Sequence, residues 1–232
     1  MKFSGALVIA ALTLGACGSA GATTLTMNLA TDNMFSLYIS TDDAVAGDLL
    51  GTGSDWRTTS QFTTDLTADT TYFIHIVGQN LGSYAPSNPA ALIGSFSLSD
   101  TSYQFANGGS ALDTDITHWS ALDSSDGSWS TPTGAPQSLG VNGGPNIWTN
   151  NRPGAEANIS LAANWIWSPT ASSQYALFST EITTRSAVVS ATPLPPTWTL
   201  LLLGLAGFGI FGFKARNIRP FRERISLAWV GN

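Results

Sequence analysis

The sequence predicts an all-β fold, a jelly-roll or β-sandwich domain, with an N-terminal signal peptide before it and a single C-terminal transmembrane helix after it. Three observations carry this. Between residues 23 and 190 the apolar side chains come in short runs that alternate with polar ones. That is the period of a strand, whose successive side chains face opposite ways. Clusters of Gly, Asn, Asp, Ser and Pro punctuate the runs, and no segment sustains a helical period with caps. Threonine, serine and aromatic residues outweigh lysine and glutamate, a bias towards pleated structure. Many short strands divided by such turns build sandwiches and jelly rolls. The absence of a fixed repeat argues against a propeller or a solenoid.

The order of elements begins with a leader over residues 1–22. Lys2 gives it a positive start, and residues 6–14 are an apolar run too short to span a bilayer. Ala20-Gly21-Ala22 offers small side chains to a peptidase, so cleavage would leave Thr23 first. A competing site, Leu14-Gly15-Ala16-Cys17, loosely matches a lipoprotein signal with Cys17 as the lipid-bearing residue. Cys17 is the only cysteine. Cleavage after Ala22 therefore leaves a domain that rests on its core, without the disulfides that export permits.

The domain itself spans residues 23–190. Leu25, Met27 and Leu29 alternate with polar neighbours, as do Phe35, Leu37 and Ile39. Residues 62–66 form a weaker candidate. Residues 72–77 make a continuous apolar and aromatic run broken only by His75, which suits a central strand. Leu92, Gly94, Phe96 and Leu98 alternate, and Tyr103 with Phe105 follows a turn at Ser99-Asp100. Later runs are Trp165-Ile166-Trp167, residues 175–178 and residues 187–189. Trp165 and Trp167, two apart, are expected on one face. Residues 123–158 are rich in Gly, Pro, Ser and Asn and read as a long loop over one end of the sandwich, pinned by Trp129 and Trp148.

Residues 191–232 form the last element. Residues 197–213 carry no charge, and counting from Pro195 about 19 residues at about 1.5 Å each reach roughly 29 Å, the thickness of a bilayer's hydrocarbon core. Lys214, Arg216, Arg219, Arg222 and Arg224 follow. Such a basic flank stays on the cytoplasmic side of the inner membrane and places the main domain outside.

Together, Pro193-Leu194-Pro195-Pro196, the apolar span and the basic cluster resemble a PEP-CTERM sorting signal of Gram-negative bacteria. The resemblance implies an exosortase-type membrane protease as partner, processing near the prolines, display at the cell surface and an association with extracellular polysaccharide and biofilm material. It covers about 30 residues and speaks to sorting, not to activity. The family's central glutamate is replaced by Leu194, and the chain runs on past the basic cluster to Asn232. If that tail blocks recognition, the segment is a plain anchor.

A second, weaker resemblance covers residues 31–80. Thr31-Asp32-Asn33-Met34-Phe35-Ser36-Leu37-Tyr38-Ile39-Ser40, then Gly53-Ser54-Asp55-Trp56, residues 72–77 and Gln79-Asn80 are similar in order to galactose-binding-like jelly-roll domains.

Charge and residue types then narrow the function. Fourteen acids face three arginines (Arg57, Arg152 and Arg185) between residues 23 and 192, a net charge near −11. Such a domain repels phosphates, which excludes a nucleic-acid partner. Without HExxH, Gly-x-Ser-x-Gly or a cysteine–histidine set, zinc proteolysis, that type of serine hydrolysis and thiol catalysis lack their parts. No catalytic residue is expected, although glycosidase chemistry needs only two placed carboxylates. His75 reads as a packed strand residue and His118 as a loop residue. The aspartate groups (Asp42-Asp43 with Asp48, Asp113 with Asp115, Asp123 with Asp126) read as solvated turns. Asp32 and Asn33 are the candidate ligands for a structural calcium, since similar domains hold one near their first strands. No other cofactor is expected. Trp129 and Trp148 are the candidate sugar-stacking rings. The expected function is a non-catalytic envelope or matrix protein that binds polysaccharide. The alternatives are a polysaccharide-acting enzyme on the same sandwich and a purely structural surface protein.

Overall fold

The computed structural model describes residues 22–85, 88–145, 154–170 and 172–185. All of these fall in the compact unit Met1–Ser186. Twelve strands follow in chain order: β1 Thr23–Asp32, β2 Met34–Ser40, β3 Asp48–Gly53, β4 Ser60–Leu66, β5 Tyr72–Gln79, β6 Ala91–Leu98, β7 Tyr103–Phe105, β8 Ala111–Asp113, β9 Ser120–Ser124, β10 Gln137–Val141, β11 Asn164–Trp167 and β12 Tyr175–Thr184. They form two six-stranded antiparallel sheets. One sheet runs β10-β11-β6-β1-β4 with β8 also paired to β6; the other runs β3-β2-β5-β12-β7 with β9 also paired to β12. Only β2–β3 and β10–β11 pair with their immediate chain neighbours. Everywhere else the chain leaves for the opposite sheet after each strand or pair of strands.

Alternation builds the interior. Leu25, Met27 and Leu29 of β1 point at Leu37 of β2, Ile74 and Ile76 of β5 and Phe178 and Ile182 of β12, all buried in one core. The structure is thus the β-sandwich that the alternating runs predict. The run at residues 72–77 is central as expected, with β2 on one side and β12 on the other. Trp167 sits in this core with its ring edge-on to Phe178 at 5.8 Å and its indole N–H donated to Ser173 O at 3.0 Å. Gly78 is the only residue type that fits beneath that ring: a Cβ there would lie 2.8 Å from two of its carbons.

A second, smaller cluster covers the outer face of the first sheet. It joins Ala30, Ala91, Ile93, Ile159, Ala163 and Trp165, with Trp56 and Leu139 against it. Trp165 and Trp167 therefore do not share a face, contrary to the spacing rule. Trp167 is the last residue of β11, where the chain leaves the ladder, and its ring turns inward instead.

Four strands were not legible in the sequence: β3, β8, β9 and β10. β10 and the end of β9 lie inside the glycine- and proline-rich stretch read as one loop, so that stretch is in part sheet. Residues 187–189, Trp148, Pro193, Leu194, Pro195, Pro196, the span 197–213 and the cluster Lys214, Arg216, Arg219, Arg222 and Arg224 lie outside the described residues. Among the described residues no helix is long and apolar enough to cross a membrane.

Candidate functional site

The outer face of the second sheet holds a dense polar arrangement around His75. Because Ile74 and Ile76 point into the core, Phe73 and His75 of β5 point out. Pairing then aligns their neighbours. His75 stands opposite Tyr38 on one side and Ser179 on the other, and Ser179 stands opposite Ser120 of β9. One step along, Phe73 stands opposite Ser40 and Glu181.

His75 is fully buried, although it lies on the outer face. Two segments cover it. The turn after β2 brings Asp43, whose Oδ1 lies 2.9 Å from His75 Nε2, and the Ala46 carbonyl, 3.0 Å from Nδ1. Ser179 Oγ donates to the same Asp43 oxygen at 2.6 Å. Both ring nitrogens thus face oxygen partners, Asp43 Oδ1 on one side and Ala46 O on the other. The second segment follows β9. Ser124 Oγ accepts from Gly127 N at 3.0 Å and Asp126 from Ser128 N at 2.9 Å, shaping a turn that needs Gly127 at φ 75°. The Ser128 amide holds the Asp126 carboxyl below the usual range. The turn delivers Trp129, stacked on His75 at 3.9 Å and 25°. The indole N–H of Trp129 and the hydroxyl of Thr131 both donate to Asp43 O at 3.0 Å.

Beside this buried group opens a cavity of about 300 Å³. Its walls include Asp43, Phe73, His118, Ser120, Ser179 and Glu181. Phe73 stacks on His75 at 6.0 Å, which continues the ring series from Trp129 to the cavity wall. His118 arrives on the β8–β9 connection, fixed by its buried neighbour Trp119, whose ring packs on Phe96 at 5.0 Å. Thr180 Oγ1 donates to His118 O at 2.8 Å, and Asp115 Oδ2 lies 2.7 Å from His118 Nδ1. Among the described residues no hydroxyl lies within hydrogen-bonding distance of the other His118 nitrogen. The base–nucleophile contact that activates a serine is therefore not made here.

The residues singled out from sequence fare differently. Trp129 is half-buried and packs its ring over His75. It does pin its loop, but over the face of a sheet and not over an end. Asp32 and Asn33 are joined by a cis peptide and lie at the β1–β2 junction. Asn33 Oδ1 accepts from Leu81 N at 2.6 Å. Asp32 is buried with Oδ1 unpartnered, and burial pushes its carboxyl up to about 6. The two thus supply at most one free carboxylate, where calcium takes six to eight oxygens. No group of three or more acidic, histidine or cysteine residues that could hold a metal occurs among the described residues. Of the other grouped aspartates, Asp43 and Asp115 face the two histidines, while Asp42 accepts from Ala44 N and Asp123 from Thr170 Oγ1.

Asp43, Phe73, His118, Ser179 and Glu181 were missed as a group. The one available signal was His75, a titratable ring inside an apolar strand that had to find partners. No known protein family, curated protein or solved structure matches the chain.

Proposed function

We propose that the chain is an exported, non-catalytic protein of the cell envelope or extracellular matrix, and that its β-sandwich binds polysaccharide in the cavity on the second sheet. The cavity is the observation that carries this. An aromatic ring stands beside carboxylates and hydroxyls, in an opening wide enough for one or two sugar rings. Rings stack on the C–H faces of sugars while carboxylates and hydroxyls take their OH groups. These side chains come from paired strands and a pinned connection, so they are held before any ligand arrives, which lowers the cost of binding. The unmade base–hydroxyl contact at His118 favours binding over acyl transfer.

The sorting-signal resemblance supports the location. The domain lies outside the inner membrane, anchored through residues 197–213 or released near the prolines by an exosortase. The finer fold reading is a jelly roll similar to galactose-binding-like domains, supported by the chain's repeated passage between sheets.

A glycan array probed with the full chain in detergent tests the reading. Binding to at least one polysaccharide class is expected, with loss in Phe73→Ala and no release of reducing ends. Release that depends on Asp43 or Glu181 would replace it with the enzyme reading. A blank array would leave a purely structural surface protein.

A further inference from the structure

Charge around the cavity narrows the class of sugar, if the glycan-binding reading holds. Asp43 spends Oδ1 on His75 and Ser179. Its side chain remains 29% exposed, and among the described residues Oδ2 has no partner. Glu181 is exposed, with no ion pair or side-chain hydrogen bond among the described residues, and stands directly opposite Phe73. Among the described residues no lysine or arginine lines the cavity to answer them. The one basic side chain on the wall, His118, is matched by Asp115 at 2.7 Å. Arg57 is paired with Asp55 at 2.9 Å, Arg185 donates to Gly108 O at 2.7 Å, and neither lines the cavity. The surrounding domain carries fourteen acids against three arginines.

A carboxylate beside a half-exposed aromatic ring is the environment that holds an ammonium group: the ring's negative face and the carboxylates attract it together. We propose that the cavity selects an amine-bearing sugar, a hexosamine glycan without its N-acetyl groups, with the ammonium at Glu181 and Asp43 beside Phe73. The hydroxyls of Ser120 and Thr117 on the same wall take the sugar's OH groups. An N-acetylated sugar loses the charge and leaves Glu181 unanswered. A uronic acid polymer is repelled by the same groups.

Calorimetry on the full chain in detergent tests this with three hexasaccharides, of glucosamine, N-acetylglucosamine and galacturonate, in about 0.15 M salt so that only close charges act. The glucosamine oligomer should bind about tenfold tighter than its N-acetylated form, and the galacturonate should not bind. Glu181→Gln should remove most of that preference. Asp65→Asn makes the same charge change on the other sheet, where Asp65 accepts from Thr24 Oγ1 at 2.7 Å, and should leave the preference intact. Equal affinity for the two glucosamine oligomers would overturn the amine proposal, as would an equal loss in both variants, which would mean bulk attraction. Glycan binding itself would stand in either case. Binding to none of the three beside a positive array also overturns the amine proposal alone, whereas a blank array removes both readings.

Discussion

Gly78→Ala should destabilise the sandwich even though alanine is ordinarily the better residue in a strand. Glycine in a strand interior costs roughly 0.5–1 kcal/mol relative to alanine through the freedom it loses on folding, so an unobstructed change would stabilise. Here the new methyl would sit 2.8 Å from Cη2 and Cζ3 of Trp167. That ring cannot readily move aside. Its N–H is tied to Ser173 O at 3.0 Å, and its edge meets Phe178 at 5.8 Å inside a closed core. Overpacking of this kind costs about 1–3 kcal/mol, which outweighs the gain in chain entropy. Urea unfolding followed by tryptophan fluorescence should show a lower midpoint with an unchanged slope. Trp167→Phe alone should destabilise by leaving a void. In the double variant the smaller ring accepts the methyl, so the two losses should sum to more than the measured loss. A Gly78→Ala chain as stable as the parent would refute the reasoning, because it would mean that the ring yields without cost.

Three further outcomes follow from other parts of the molecule. Asp32 has its folded pKa raised from 3.8 to about 6 by burial, so its contribution is fully present below the unfolded value and is lost as pH rises through the folded one. Urea midpoints should therefore show Asp32→Asn gaining on the parent between about pH 4 and about pH 7, and a constant difference would contradict the burial argument. Trp129→Phe keeps a ring over His75 but abandons the donor to Asp43 O, at a cost of about 1 kcal/mol, while Trp129→Ala loses the stack as well and should cost about 2–4 kcal/mol by the same unfolding measurement. In a host with an exosortase, immunoblotting should find a form truncated near residues 192–197, and Pro195→Ala with Pro196→Ala should leave the full-length chain in the membrane. Full-length parent protein in that host, with or without the enzyme, would make the segment a plain anchor.

Strands with two distinct faces were readable because burial imposes a period of two: β1, β2 and β6 alternate, and β5 adds Phe73 and Val77, partly covered on its outer face, to Ile74 and Ile76 on its inner one. β3 was not readable for a packing reason. Its Gly51 and Gly53 stand where the rings of Phe62 and Phe35 pack, so Leu50 alone of the strand packs against the core and no alternating pattern results. β8 and β9 are three and five residues long, too short for a period to declare itself. β10 sits among turn residues and is held to β11 through a register shift. The cavity was illegible for a different reason. Asp43 and Ser179 are 136 residues apart in the chain, and only the sheet pairing that sets Ser179 opposite His75 brings them together. Local sequence can mark a buried histidine as a residue needing partners, but it cannot say which ones.

The place of β12 has a consequence for the chain as it is made. The strand occupies the middle of its sheet, yet it is the last of the twelve to be synthesised. Tyr175 meets a partner on Gln79, 96 residues earlier. At roughly 5–20 residues per second, β5 waits about 5–20 s with one edge bare before its neighbour exists. During that interval the rim of β5 that β12 will fill offers unpaired N–H and C=O groups. A late central strand thus sets when the second sheet can close, which is not before residue 184 has emerged.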